Sequence, residues 1–198
     1  LASHTDPTPL WMTDSSSPRS YPSQYYLNTF PAAYLPFWID KVHIEEEPYF
    51  GPLRGRYSAA ELREIDDYAF ARGMEVIPCI QTLAHLNAIF RWPAYRELRD
   101  VDDILLAGDE RVYALIESIF ATLHKCFRSR TVNIGMDEAH MIGRGRYLDL
   151  NGYRNRFEIM SNHVGRVIDL CRKYNFTAMM WSDMYYPLAA SRKKDDSW

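Results

Sequence analysis

Two adjacent carboxylates and a histidine, in the string Asp137-Glu138-Ala139-His140, are the residues of this sequence best suited to chemistry. They follow the apolar run TVNIGM, which predicts a buried strand. Where a chain leaves a strand, both side chains can turn toward one substrate instead of pointing to opposite faces. In one cleft, burial can keep one carboxyl protonated as a general acid while hydrogen bonds keep the other ionised. The pair therefore predicts acid and base chemistry.

Polar residues follow the other apolar runs as well. YLPFWI ends at Asp40, MEVIPCI leads into Gln81 and His85, and FTAMMW leads into Trp181 and Asp183. In a sheet of parallel strands covered by helices, functional residues collect at the carboxyl ends of the strands. We therefore expect these residues to share one edge of a sheet.

Helical segments separate the apolar runs. A capping box, Ser58 with Glu61, begins a helix that Gly73 ends. A second amphipathic helix follows Asp109, and a third spans residues 157–171. The alternation of strands and helices predicts the α/β class, with a parallel sheet.

The composition and the apolar pattern of the sequence change near Tyr34. Residues 1–33 are rich in Ser, Pro, Thr and Tyr and have no apolar period, so we expect an irregular segment there. Residues 34–198 carry the repeated strand and helix pattern and form the expected domain. Pro36 makes the first run a poor central strand, because proline cannot donate to a sheet ladder, unless it lies at an edge or a bulge.

Composition narrows the functional classes. The 198 residues are 47% hydrophobic and 25% charged, with a formal net charge of −3, which is ordinary globular usage. Without an excess of basic residues, neither nucleic acid nor a membrane surface is an expected partner. The three cysteines, Cys79, Cys126 and Cys171, lack metal or redox spacing, so we expect buried reduced thiols, no metal or other cofactor, and a cytoplasmic location.

Four motifs, in chain order, resemble the catalytic barrel of family-20 glycoside hydrolases, the β-N-acetylhexosaminidases: GRYSAAELREIDDYAFARGMEVIP, VIPCIQTLAH, NIGMDEA and MMWSDM. In that family a glycine, here Gly135, precedes the Asp-Glu pair on the fourth barrel strand. The third strand ends in a pattern like P-E-I-D-x-P-G-H. Pro78, Ile80 and His85 match it, whereas Cys79 replaces the Glu and Leu-Ala replaces Pro-Gly, as in a divergent branch.

The resemblance implies a retaining hydrolase that removes terminal β-linked N-acetylglucosamine or N-acetylgalactosamine by substrate-assisted catalysis. Glu138 would protonate the leaving oxygen, and Asp137 would orient the 2-acetamido group that attacks the anomeric carbon. Trp181 would wall the acetamido pocket. His85, Asp40 and Asp183 are the other expected substrate-binding residues, and the expected partner is a glycan or glycoside containing N-acetylhexosamine.

The resemblance also implies a (β/α)8 barrel of the TIM type. A complete barrel needs about 250 residues and eight strands. The four strands in this sequence are therefore expected to be about strands 2 to 5 of a partial barrel. Half a barrel exposes two sheet edges, so we expect the isolated chain to be poorly soluble.

Three other functions remain open on the residues alone. Asp137-Glu-Ala-His140 also spells a box found in nucleotide-driven helicases, but no G-x-x-x-x-G-K-[ST] phosphate loop accompanies it. A metal-dependent barrel could use His85, Asp137, Glu138 and His140. The third is a catalytically inactive fragment or sugar-binding remnant of a hydrolase barrel.

Overall fold

A computed structural model describes residues 34–38, 43–50 and 56–184 of the chain. The expected irregular segment, residues 1–33, lies outside the described residues, as does Asp40. The described residues alternate between strands and helices in the predicted order, with three short helices added in the connections.

Among the described residues, four parallel strands form one sheet, in which each strand pairs with the next one in the chain. The strands are β1 (Tyr34–Trp38), β2 (Glu75–Cys79), β3 (Thr131–Asn133) and β4 (Thr177–Met179). Because all four run in the same direction, their carboxyl ends meet at one edge of the sheet. The predicted α/β class with a parallel sheet is confirmed.

Two prolines mark how the sheet is built. Pro36 lies in β1, which is an edge strand of the described sheet, as its missing N–H requires. Pro78 lies inside the central strand β2. The pairing of β2 with β3 is correspondingly short and comprises Cys79 opposite Asn133, just past the proline. The carboxyl end of β2 is thus the part that contacts β3.

In the part of the chain that the structure describes, six helices connect and cover the strands: α1 (Ala59–Phe70), α2 (Asn87–Phe90), α3 (Pro93–Arg96), α4 (Glu110–Cys126), α5 (Arg146–Asn151) and α6 (Arg156–Lys173). The capping box of Ser58 and Glu61 begins α1 as predicted, and Asp109 caps α4. No helix in the described part of the chain is long and apolar enough to cross a membrane.

The core lies between the sheet and the apolar faces of the long helices. Val112 and Leu123 of α4, and Met160 and Val167 of α6, are fully buried. These are positions of the predicted stripes, so the helical period of the sequence identified the buried faces correctly. All three cysteines are buried and free, and burial raises the pKa of the Cys171 thiol to about 12.

Candidate active site

The carboxyl edge of the sheet brings together five of the six predicted site residues. His85 follows β2, Asp137 and Glu138 follow β3, and Trp181 and Asp183 follow β4. The sixth, Asp40, cannot be placed because it lies outside the described residues. Strand pairing therefore brings three separate sequence motifs together as neighbouring segments.

The segment after β3 turns sharply out of the sheet. We predicted a strand through Met136, but β3 ends at Asn133, and the backbone of Gly135, Met136 and Glu138 is left-handed, with φ of 72°, 77° and 54°. An extended strand requires negative φ, so these residues cannot continue the ladder. This turn is what lets Asp137 and Glu138 project from the end of the strand.

Gly135 is required at the start of that turn. Besides its positive φ, a Cβ at this position would lie 2.1 Å from Gln81 Oε1 and 3.0 Å from the carbonyl oxygen of Ile80. Only glycine combines the left-handed backbone with so close an approach. The glycine therefore lets the Gln81 side chain lie against the base of the turn.

Gln81 and His85 hold the Asp137 carboxylate from two sides. Gln81 Nε2 donates to Oδ1 at 2.9 Å, and His85 Nε2 lies 3.2 Å from Oδ2. Burial alone would raise the pKa of Asp137, but the hydrogen bonds from His85 and Gln81 outweigh it and hold the pKa below its ordinary value. Asp137 is thus prepared to carry a negative charge at neutral pH.

The imidazole of His85 lies among three carboxylates. Its Nε2 is 3.6 Å from Glu138 Oε2 as well as near Asp137, and its Nδ1 is 3.6 Å from Asp103 Oδ2. The hydrogen bond to Asp137 raises the pKa of His85, burial opposes the rise, and the charges of Asp137, Asp103 and Glu138 add to it. The cluster therefore favours the imidazolium form.

Glu138 and Asp137 differ in environment although they are neighbours in the chain. The side chain of Glu138 is 46% exposed, against 13% for Asp137. The backbone N–H of Glu138 donates to Asp183 Oδ2 at 3.0 Å. An accessible carboxyl beside a less exposed, hydrogen-bonded one is the arrangement in which two acidic groups take different roles.

Trp181 and Asp183 close the site from the side of β4. Trp181 is buried, and its backbone N–H donates to the carbonyl oxygen of Gly135 at 2.9 Å. Two of their buried polar atoms, Trp181 Nε1 and Asp183 Oδ1, have no hydrogen-bond partner among the described residues. Burial raises the pKa of Asp183, the Glu138 amide opposes the rise, and the nearby Asp137 charge adds to it.

Sequence reasoning missed two residues of this arrangement. Gln81 stood at a predicted strand end but received no role, although its place directly after β2 is a signal that could have identified it. Asp103 gave no signal, because it lies in a connecting loop and contacts His85 through both the backbone N–H and the imidazole of that residue. Only the folded chain brings Asp103 to the site.

His140 is the fourth residue that the metal-dependent alternative would use. Among the described residues, no contact joins its side chain to His85, Asp137 or Glu138. His140 is exposed and uses its backbone, donating to the carbonyl oxygen of Glu138 and accepting from Arg156. Within residues 43–50 and 56–184, no group of three or more His, Cys, Asp or Glu side chains is arranged to hold a metal ion.

A cavity of about 320 Å³ lies at the opposite end of the sheet, before β2 and β3. Phe70, Met74 and Arg128 are among its lining residues. Arg128 pairs with Asp66 and Asp67, so its charge is already matched by protein groups. None of the six predicted site residues is among those that line the cavity.

Comparisons with known proteins agree with this architecture. Hexosaminidase D of Homo sapiens is 27% identical over 152 residues, which are 69% of this chain and 31% of that protein. Hexosaminidase D of Bos taurus is 27% identical over 180 residues, 82% of this chain and 52% of that protein. This chain thus spans about a third to a half of the length of these relatives.

A solved structure and a family model extend the comparison. The β-N-acetylhexosaminidase of Bacteroides fragilis superposes with a TM-score of 0.64 at 21% identity, covering 77% of this chain and 36% of that one, which shows a similar fold. The model of the glycosyl hydrolase family 20 catalytic domain matches residues 32–196. Since that match spans well over half of the 198 residues, the chain belongs to glycosyl hydrolase family 20.

Proposed function

We propose that this chain carries the catalytic residues of a retaining β-N-acetylhexosaminidase that uses its substrate's 2-acetamido group as the nucleophile. The observation that carries the proposal is the contact of one imidazole with two unlike carboxyls. His85 Nε2 lies 3.2 Å from the partly buried Asp137 and 3.6 Å from the more accessible Glu138. Family membership and the names of the relatives support the same activity.

In this proposal Asp137 orients the acetamido group. A carboxylate accepts hydrogen bonds and can bind the acetamido N–H, which turns the acetamido oxygen toward the anomeric carbon. The same negative charge stabilises the positive oxazolinium that forms when that oxygen attacks. The lowered pKa of Asp137 supports this role, because only the ionised form does both.

Glu138 acts as acid and then as base. As the acetamido oxygen bonds to the anomeric carbon and the glycosidic bond breaks, Glu138 gives its proton to the departing oxygen. Water then attacks the anomeric carbon, the carbon–oxygen bond of the oxazolinium opens, and the water proton passes to the Glu138 carboxylate. Two displacements at one carbon leave the anomeric configuration unchanged.

The remaining residues of the site surround the sugar. Trp181 offers a buried apolar ring suited to the acetamido methyl group. His85 remains a proposed substrate-side residue, and Asp40 is proposed to bind sugar hydroxyls. The substrate is a terminal β-linked N-acetylglucosamine or N-acetylgalactosamine.

We also propose that β1 to β4 correspond to about strands 2 to 5 of an eight-stranded barrel. The parallel order, in which each strand pairs with its successor, supports this assignment. In a (β/α)8 barrel the active site lies at the carboxyl ends of the strands, which is where the His85, Asp137 and Glu138 side chains meet.

The test is hydrolysis of a chromogenic β-N-acetylglucosaminide and β-N-acetylgalactosaminide by the purified chain. Asp137→Asn and Glu138→Gln should each lower kcat by at least about 100-fold, the lower end of the range for loss of a charge-stabilising or proton-donating group. The Glu138→Gln loss should shrink for a leaving group of low pKa, which needs less protonation. Glu64→Gln, an exposed carboxyl on α1, is the matched control and should retain full activity.

An inactive sugar-binding remnant is the alternative that the assay distinguishes. A folded sample that binds an N-acetylglucosamine-derived thiazoline but releases no leaving group supports the remnant and refutes the enzyme. Turnover that survives Glu138→Gln unchanged for every leaving group refutes the assignment of Glu138 as the acid.

A further inference from the structure

Two polar side chains of the site project from left-handed residues. His85 has φ of 62° and Glu138 has φ of 54°. Neither is a glycine, so each backbone conformation is disfavoured in isolation and persists only where surrounding contacts hold it. The orientation of each side chain therefore depends on what fixes its backbone.

Each of these residues has its backbone N–H bound by a carboxylate from another loop. The N–H of His85 donates to Asp103 Oδ2 at 2.9 Å, and the N–H of Glu138 donates to Asp183 Oδ2 at 3.0 Å. A hydrogen bond to a charged acceptor is among the stronger kinds in proteins. A carboxylate thus accepts from the backbone N–H of a left-handed residue on both sides of the cluster.

Glu138 depends more on this contact than its neighbours do. Its side chain is nearly half exposed, and its ion-pair contact with His85, at 3.6 Å, is the longer of the two that link His85 Nε2 to the catalytic pair. The side chain of Asp137, by contrast, is in direct contact with the side chains of Gln81 and His85. For Glu138 the backbone is therefore the main determinant of where the carboxyl points.

The segment after β4 binds this backbone at two points. The N–H of Trp181 donates to the carbonyl oxygen of Gly135, at one end of the left-handed turn, and Asp183 accepts from Glu138 at the other. We infer that Asp183 is a positioning residue, whose carboxylate fixes the left-handed backbone of Glu138 and so aims the acid. The consequence for catalysis rests on the proposed function; the backbone contact itself does not.

This role differs from the substrate contact that the sequence predicted for Asp183. A substrate-binding carboxylate would mainly affect KM, and an amide could not replace its charge. A positioning acceptor would mainly affect kcat, because a misplaced acid still permits binding. It would also tolerate Asn, whose side-chain oxygen can accept from the Glu138 N–H.

The experiment compares the 198-residue chain with its Asp183→Asn and Asp183→Ala variants by two measurements. The first is hydrogen exchange of the Glu138 amide, followed by NMR, which requires no turnover. We expect Asp183→Ala to speed this exchange by at least about tenfold, and Asp183→Asn to preserve most of the protection. The second is kcat and KM with the chromogenic glycoside, where kcat of Asp183→Ala should fall at least about tenfold while KM stays within about twofold.

Asp109→Ala is the matched control, since Asp109 also accepts a backbone N–H, that of Arg111, but caps α4 away from the cluster. It should lower the melting temperature without changing Glu138 exchange or kcat. Unchanged Glu138 exchange in Asp183→Ala overturns the inference, as does a rise in KM at constant kcat. If the parent chain lacks activity, the proposed function fails for it, and the exchange measurement alone decides the inference.

Discussion

A buried histidine beneath the site gives the sharpest quantitative prediction. His163 of α6 is completely buried, with Nε2 2.9 Å from the carbonyl oxygen of Thr82 and Nδ1 3.2 Å from the hydroxyl of Tyr113. A carbonyl oxygen only accepts, so Nε2 carries the proton, and Nδ1 accepts from Tyr113, whose oxygen accepts from the N–H of Gly108 at 3.1 Å. This network is satisfied by a neutral imidazole.

The pH dependence follows from that neutral form. Burial lowers the pKa of His163 from 6.5 to about 4, the hydrogen bond to Thr82 opposes the fall, and the charge of Arg166 adds to it. Well above pH 6.5 the His163 ring is neutral in both the folded and the unfolded chain, so it does not change the free energy of unfolding. As the pH falls below 6.5, the unfolded chain gains a proton that the folded chain excludes, so the free energy of unfolding decreases until about pH 4.

The magnitude is set by the two pKa values. A fall from 6.5 to about 4 corresponds to about 3 kcal/mol in total, of which about 2 kcal/mol is lost between about pH 7.5 and pH 5. Other groups titrate over the same range, so the parent chain alone would not isolate the histidine. His163→Gln keeps a donor for Thr82 and an acceptor for Tyr113 but cannot titrate.

The assay is therefore urea unfolding of the parent chain and His163→Gln at about pH 7.5, 6.5 and 5. The parent's stability relative to the variant should fall by about 2 kcal/mol across this range, because the titrations that both proteins share cancel in the difference. A difference that stays constant to within about 0.5 kcal/mol would refute the reasoning. A ring pKa near 6.5, measured by NMR, would refute it independently.

Two further predictions concern the loops around the site. Gly135→Ala forces a side chain against Gln81 at a left-handed residue and should lower kcat at least about tenfold, whereas Gly73→Ala, also left-handed but with nothing within 4 Å, should lower stability by about 1 kcal/mol and leave kcat unchanged. Asp100 accepts the N–H groups of Gly143, Gly145 and Tyr147, so Asp100→Ala should reduce the free energy of unfolding by about 3 kcal/mol in urea melts, and a loss below about 1 kcal/mol would contradict this role.

Local signals in the sequence located most of the fold. The Ser58 capping box, the start of a helix at Asp109 and the Gly73 stop after α1 all occur where the pattern predicts them. These features act within a few residues, so a single sequence contains what is needed to recognise them. The register of the strands, which involves residues more than 40 positions apart, required the folded chain.

The geometry of the site was harder to predict from the sequence, because it also depends on contacts between distant residues. Met136 and Glu138 are ordinary residue types, and nothing in their identity indicates a left-handed backbone. The backbone of Glu138 instead contacts a segment distant in the sequence, through its N–H to Asp183, 45 positions away. The sequence could predict which side chains meet at the carboxyl edge. It could not predict that the backbone N–H of Glu138 donates to Asp183.

The ionisation states of Asp137, His85 and Asp183 depend on one another. Because His85 and Gln81 keep Asp137 ionised, the Asp137 charge helps raise the pKa of both His85 and the half-buried Asp183. Replacing His85 with a neutral residue should therefore raise the pKa of Asp137 first, since burial would then be opposed by Gln81 alone among the side chains. An acid-side loss of activity that moves to higher pH in His85→Gln would show this order, and an unmoved profile would mean that Gln81 suffices to keep Asp137 charged.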